Sequence, residues 1–406
     1  MLRSMFTAIS ALNAHQTWMD VIGNNLANVN TTGYKTSFVR FQDQISQLLR
    51  PGSSPTGTRG GVDPMQVGLG MRVGSITQNF TQGALTSTGR MGDLALQGDG
   101  FFNYRDGAGT LFYSRDGSID LDADGYMVNT NTGYRIQGWL PTGTPPVVNT
   151  GTALTDIRIP INSTLARQTS SLTMRGNLNA LQPMATPVTV TFGAYDAFGA
   201  LHNVDVQVTR TGANAWSWTT VTGGTGSGTL TFNPATGALS AGGTGTINVP
   251  ASASGAQAFS FTVDLTSLTQ LETDNSAYAA FQDGVAAGTV TGYTVETKTG
   301  QVYAQYSNGL QNLVAQLAVT SFVNPAGLNK VGQNLYQQGV NAGEPNTGLP
   351  DSNGRGAIIP GSVEASNVDL SQEFTNMILA QRGFQASSRV ITTSDEMLQE
   401  LVNLKR

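Results

Sequence analysis

Residues 2–28 read LRSMFTAISALNAHQTWMDVIGNNLAN, and their spacing decides how the rest of the chain is organised. Leu2, Met5, Ile9, Leu12, Met19 and Leu26 recur in alternating short and long steps, with Gln16 and Gly23 completing the a and d positions of a heptad seam. Ser4, Asn13, Asp20 and Asn24 fall on the other face. An α-helix returns a side chain to the same face about every 3.6 residues, so this spacing predicts an amphipathic helix of about 40 Å. Asn30 to Gly33 supplies stop and turn residues after it.

The far end repeats the pattern. Leu370, Phe374, Met377, Phe384, Ile391, Leu398 and Val402 hold a second heptad register, interrupted by Gln381, Ser388 and Asp395. Asp369 is placed to cap the first turn and Gln372 stands where a reciprocal capping box needs it. Lys405 and Arg406 would complement the helix dipole at the other end. An amphipathic stripe ordinarily covers its own domain's core. Two strict stripes at the two termini point as much to association with each other and with neighbouring copies.

Between the termini the code changes to short apolar runs broken by turn residues. Phe101 to Trp139 contains Asp106-Gly107, Asp116-Gly117 and Asp124-Gly125, each a hairpin signal. Asn233-Pro234, Gly242-Gly243 and Asn308-Gly309 continue the punctuation around strand-like Val188 to Phe192 and Val204 to Thr209. The expected fold class is α+β and multidomain, with long terminal helices pairing in a coiled-coil-like inner domain that encloses two nested, mainly antiparallel β-domains. The expected division is 1–70 with 360–406, 71–145 with 291–359, and 146–290 as the outermost insertion. Ends that need partners to bury their stripes are expected to be mobile in an isolated subunit.

Composition narrows the function. Only 12% of the 406 residues are charged, while 49 Gly favour sheets with tight turns. A net charge of -5 without long runs of either sign gives no footprint for nucleic acid. The chain has no cysteine, which removes disulfides and thiol chemistry. No run reaches the roughly 18 apolar residues that would insert in a membrane. Arg3 followed by Met5 to Leu12 imitates a short signal peptide, yet helical patterning continues past Ala14, so the N-terminus is expected to be kept on export.

Chemical motifs are sparse. Asp120, Asp122, Asp124 and Gly125 open like a calcium loop, but its twelfth position is Asn131 and the flanks read as strands, so a turn explains them better. Gly68-Leu69-Gly70 lacks the third glycine of a dinucleotide loop, and Gly223 to Gly228 runs into a strand. His15 and His202 are the only histidines, one in each kind of region, and no nucleophile is marked beside either. No catalytic, cofactor or metal site is expected.

Two runs carry a resemblance. Asn24-Asn25-Leu26-Ala27-Asn28-Val29-Asn30-Thr31-Thr32-Gly33-Tyr34-Lys35, and Glu364-Ala365-Ser366-Asn367-Val368-Asp369-Leu370 followed by Gln381-Arg382-Gly383, are similar to the terminal signatures of the axial proteins of the bacterial flagellum. Those proteins form the rod, the hook and the hook–filament junction. Tyr195-Asp196 to Gly199, His202 and alternating Val204, Val206 and Val208 resemble the outer domain of hook proteins. The long segment from Leu49 to Gly70 resembles one found in the distal rod. The resemblance implies self-assembly into a curved tube acting as a universal joint, outside the cell surface, after export through the flagellar type III apparatus. It also implies contacts with the distal rod, the hook cap and the hook–filament junction proteins. A distal rod subunit and a β-rich surface adhesin remain the alternatives.

Overall fold

The computed structural model describes residues 2–55, 57–143, 145–252 and 255–404. The chain divides into two compact units. Met1–Ile159, Thr294–Tyr303 and Leu313–Arg406 form the first, and Pro160–Tyr293 with Ala304–Asn312 form the second.

The first unit begins and ends in helices that pack on each other, α1 (Leu2–Ala27) and α2 (Leu370–Asn403). Asp369 starts α2 by accepting the N–H groups of Ser371 and Gln372 at 2.9 and 3.2 Å. The expected reciprocal box does not form, because the Gln372 amide donates forward to Asn376 Oδ1 at 3.1 Å. Lys405 and Arg406 lie outside the described residues.

Strands β1 (Ser37–Asp43) and β4 (Met71–Gln78) pair antiparallel, and β2 (Ser46–Arg50) and β3 (Met65–Gly68) make a two-stranded arm between them. The β1–β4 pair rests on α1. Ser10 Oγ accepts the Met71 N–H at 3.4 Å, and the Phe41 ring lies 5.6 Å edge-on to Trp18 and 6.2 Å from His15. Gly70 has φ +115°, and a side chain there would strike Ser10. The second glycine of the Gly68-Leu69-Gly70 run therefore serves helix–strand contact.

Further strands are β5 (Leu85–Ser87), β6 (Leu94–Gln97), β7 (Phe101–Arg105), β8 (Leu111–Ser114), β9 (Ile119–Leu121), β10 (Met127–Asn129) and β11 (Arg135–Trp139). β11, β7 and β8 lie side by side, followed by Leu335–Gln337 and Asn329–Gly332. Phe101, Tyr113, Phe322, Leu328 and Tyr336 close an aromatic core, with Phe80 packed against it. Asp106-Gly107 turns β7 into β8, and Asp124-Gly125 turns β9 into β10. Asp116-Gly117 makes no hairpin. Asp116 is buried and accepts from five donor groups, while a side chain on Gly117 would collide with the Leu94 carbonyl. An Asp-Gly pair serves close packing as readily as a turn, and spacing alone does not tell the two apart.

The second unit is a sandwich. One sheet runs Pro187–Tyr195, Leu201–Arg210, Ala215–Thr222, Ser227–Phe232 and Leu239–Ala241, and the other Thr244–Val249, Phe259–Leu271, Ser171–Asn179 and Tyr278–Gln282. Val204, Val206 and Val208 alternate inward onto Trp216 and Trp218. The pairing of Ser171–Asn179 with Phe259–Leu271 is parallel, an exception to the antiparallel pattern. This unit starts at Pro160, where the sequence punctuation suggests 146. Thr155–Asp156 pairs with β11 and buries Ile157 and Ile159 in the first unit, and so short a strand leaves no periodicity to read.

Candidate assembly surface

The N-terminal signature run builds the exit from α1. Asn25 Oδ1 accepts the Ser37 N–H at 3.0 Å and its Nδ2 donates to Ser37 O at 2.7 Å, so one buried amide satisfies both polar groups of a backbone unit leaving the helix. The Tyr34 hydroxyl donates to Asn24 Oδ1 at 2.8 Å. Asn28 accepts the Thr31 N–H, and its own amide donates back to the Asn24 carbonyl. Gly33 has φ +67°, and a Cβ there would lie 2.6 Å from Asp116 N. Leu26 is partly buried and Ala27 exposed.

The C-terminal run docks onto this exit. Asn367 Oδ1 accepts the Thr36 N–H at 2.8 Å, and Asn367 Nδ2 donates to the Asn79 and Thr81 carbonyls. Val368, partly buried, and Asp369 lead into α2. Beneath them Lys35 Nζ lies 2.7 Å from Glu364 Oε1, both side chains fully buried, and Arg115 Nη1 reaches Glu364 Oε2 at 3.3 Å. Burial pulls the Lys35 and Arg115 pKa values down while Glu364 opposes it. Glu364 therefore ties the N-terminal run, the sheet and the C-terminal run at one point. Arg115 gave no sequence signal, since a lone Arg in a strand-rich stretch reads as surface.

The two helices run antiparallel. A Cβ on Gly383 would lie 2.6 Å from the His15 ring, and, ten residues from each, Asn25 lies beside the Glu373 carboxyl. On α1 the positions turned to α2 include Ala8, Ala11, His15, Ile22 and Asn25. Met5, Leu12, Met19 and Leu26 are partly buried beside them, roughly 80° round the helix at 100° per residue, and Ile9 is exposed. The Leu2 side chain lies outside the described part.

On α2, Met377, Phe384, Ile391 and Leu398 are partly buried. They alternate with Glu373, Ala380, Ser387 and Ser394, of which Ala380 is fully buried. The other three residues of the expected row point away: Leu370, Phe374 and Val402 are 43%, 51% and 69% exposed. Small side chains let helices approach closely, and a search for apolar periodicity passes over them. Leu370, Phe374, Ile378, Leu379, Val390, Met397 and Val402 leave α2 with much exposed apolar surface. Gln381 and Arg382 are exposed too, and Arg382 Nη1 donates to Gln385 Oε1 at 3.4 Å.

The remaining motifs are structural in geometry. Asp122 Oδ1 accepts the N–H groups of Asp124 and Tyr126, and Asp120 pairs with Arg90 on the surface. His202 Nε2 lies 3.0 Å from the buried Asp196, whose other oxygen accepts the Phe198 and Ala200 N–H groups of the turn. Among the described residues no helix is long and apolar enough to cross a membrane.

The chain matches family descriptions along most of its length. They are "Flagella basal body rod protein" over residues 5–35, "Flagellar hook protein FlgE/F/G D1 domain" over 95–179, "Flagellar basal body protein FlaE D2 domain" over 161–285 and "Flagellar basal body rod FlgEFG protein C-terminal" over 359–404. It is 38% identical to the flagellar hook protein FlgE of Borreliella burgdorferi, with 100% of both chains covered. It is 36% identical to FlgE of Salmonella typhimurium over 99% of this chain and 100% of that one. It is also 32% identical to the flagellar basal-body rod protein FlgG of Bacillus subtilis over 100% of both. The matched ends are the two helices and their stapled exits, and the hook relatives run the full length, so the chain belongs to the flagellar hook protein family, as a structural subunit of the bacterial flagellum.

Proposed function

We propose that this subunit polymerises through its helical ends into a curved tube that carries torque from the motor and rod to the filament as a universal joint. The observation that carries the reading is the surface of the helix pair. α1 and α2 meet through small side chains such as Ala8 and Ala380 together with Ile22, Asn25 and Glu373, and leave Leu370, Phe374, Ile378 and Val402 outside, an apolar area that a soluble monomer rarely keeps. Neighbouring copies would cover it, with Leu12, Met19, Phe384 and the flanking row supplying cohesion. The nested layout expected from the sequence fits this role, as does export unfolded through the type III apparatus with the N-terminus kept. The distal rod, hook cap and hook–filament junction proteins are the further partners, and the role has no catalytic step.

Electron microscopy of the purified assembly tests this reading. Short curved tubes are expected. Straight rigid rods would favour the second reading, a distal rod subunit, which two observations support: the full-length identity to a rod protein and the exposed β2–β3 arm.

A further inference from the structure

We propose that the Phe6 ring of one copy seats in a groove between α1, α2 and β3 of the next copy, a head-to-tail contact between two copies of this chain. The proposal rests on the polymeric role above and names one contact within it. The groove is about 480 Å³ and is lined by Ala8 and Ala11 of α1, Val67 of β3, and Ala386, Ser387 and Val390 of α2. That is several times the roughly 150 Å³ that accepts a benzene ring in an apolar cavity. Arg3 and Thr7 also line it, but most of the lining is Ala, Ser and Val, so it is a hole without a knob.

The knob is on the other side of the same helix. At 100° per residue, Phe6 and Ile9 lie roughly 150° round α1 from the mean direction of Thr7, Ala8 and Ala11. Phe6 is 68% exposed, and Ile9 is 41% exposed. Further along this outward face the side chains are Asn13, Gln16 and Asp20, so the apolar part is confined to the level of the groove. A Phe ring brings 150–250 Å² of surface to whatever covers it. Because knob and hole face opposite ways on one subunit, a two-fold pair cannot bring both knobs to both holes. Repeated head-to-tail association can, and such heterologous contacts generate open helical assemblies. The groove is also continuous with the exposed α2 surface assigned to assembly, since Val390 belongs to both.

The absence of cysteine makes the contact directly testable. A chain carrying Phe6→Cys and Ala386→Cys, assembled at high protein concentration and then oxidised, should run as a ladder of covalent multimers on a denaturing gel. The same chain oxidised as a monomer should not. In parallel, Phe6→Ser should raise the critical concentration for polymerisation by about tenfold or more, and Phe6→Leu should restore most of it. Assembly of Phe6→Ser at the wild-type critical concentration, or assembled double-cysteine polymer without a ladder, would overturn the proposal. Polymerisation of the unaltered chain separates the two levels: tubes without a ladder sink this contact alone, and no polymer at all sinks the reading beneath it.

Discussion

Glu364 is the residue through which the termini and the sheet share one electrostatic centre. It accepts from Lys35, from the Gly83 N–H at 2.8 Å and from Arg115, and all three charged side chains are buried. Removing one member of a buried charge cluster leaves the others desolvated and unpaired, at a cost of about 3–5 kcal/mol. Glu364→Ala should therefore lower the stability of the first unit by about that amount in denaturant titration, while the second unit, with its own Trp216 and Trp218 core, unfolds at its original midpoint. A single unshifted transition would show that Glu364 holds nothing together. His15 gives the helix pair a pH dependence. Its ring packs against the Gly383 backbone and Phe41, Nδ1 is buried without a hydrogen-bond partner among the described residues, and burial lowers its pKa from the ordinary 6.5. The folded state then binds its proton less tightly than the unfolded chain, so its contribution is full above about pH 6.5 and is lost as pH falls toward the depressed folded value. Glu373 works the other way, because burial raises its carboxyl above 4.5. Helix content followed by circular dichroism should decline on acidification through pH 6.5 in the wild type. It should decline less in His15→Gln; equal slopes would remove His15 as the cause.

The helices illustrate which parts of an element can be read from a sequence. Their existence and ends were legible because heptad spacing, Asp369 and the turn at Asn30 to Gly33 act locally, and the observed spans Leu2–Ala27 and Leu370–Asn403 follow those signals closely. The face that meets the partner helix was not legible. Ala8, Ala11, Ala380 and Ser387 carry almost no hydrophobic signal, and they matter because they are small. The same blindness hid Arg115 and Glu373, whose roles depend on residues hundreds of positions away or on the facing helix. Two substitutions separate the inner and outer faces. Ala380→Leu puts extra atoms where nothing is open to solvent and should cost the helix pair about 1–3 kcal/mol. Phe374→Ser changes a half-exposed position and should leave the monomer within about 0.5 kcal/mol of wild type, yet raise the critical concentration for polymerisation. Light scattering and denaturant titration on both variants would check this. If Phe374→Ser destabilises the monomer and leaves polymerisation unchanged, the faces have been assigned the wrong way round.

At the scale of the whole molecule, cohesion and shape should be separable. The first unit holds both helices, and the second closes its own core with Val204, Val206, Val208, Trp216 and Trp218. It does present large exposed apolar side chains: Leu181 is 66% exposed, Met184 63%, Phe198 60% and Phe281 62%. Scattered singly they would need no explanation. In a polymer they are material for contacts between copies, and with so few charges on the chain such contacts can shift without stranding a buried ion pair. A chain joined from Ile159 to Thr294 through a short flexible linker, keeping only Ala304–Asn312 of the second unit, should therefore still polymerise, at a critical concentration within about tenfold of wild type, because the loss is confined to contacts outside the helical seam. What it should lose is the regular bend, since copies would no longer be held by their second units. Electron micrographs should show straight or irregularly bent tubes. Tubes of normal curvature would move the source of shape into the first unit, and a deletion chain that folds but never assembles would mean that the second unit supplies cohesion as well.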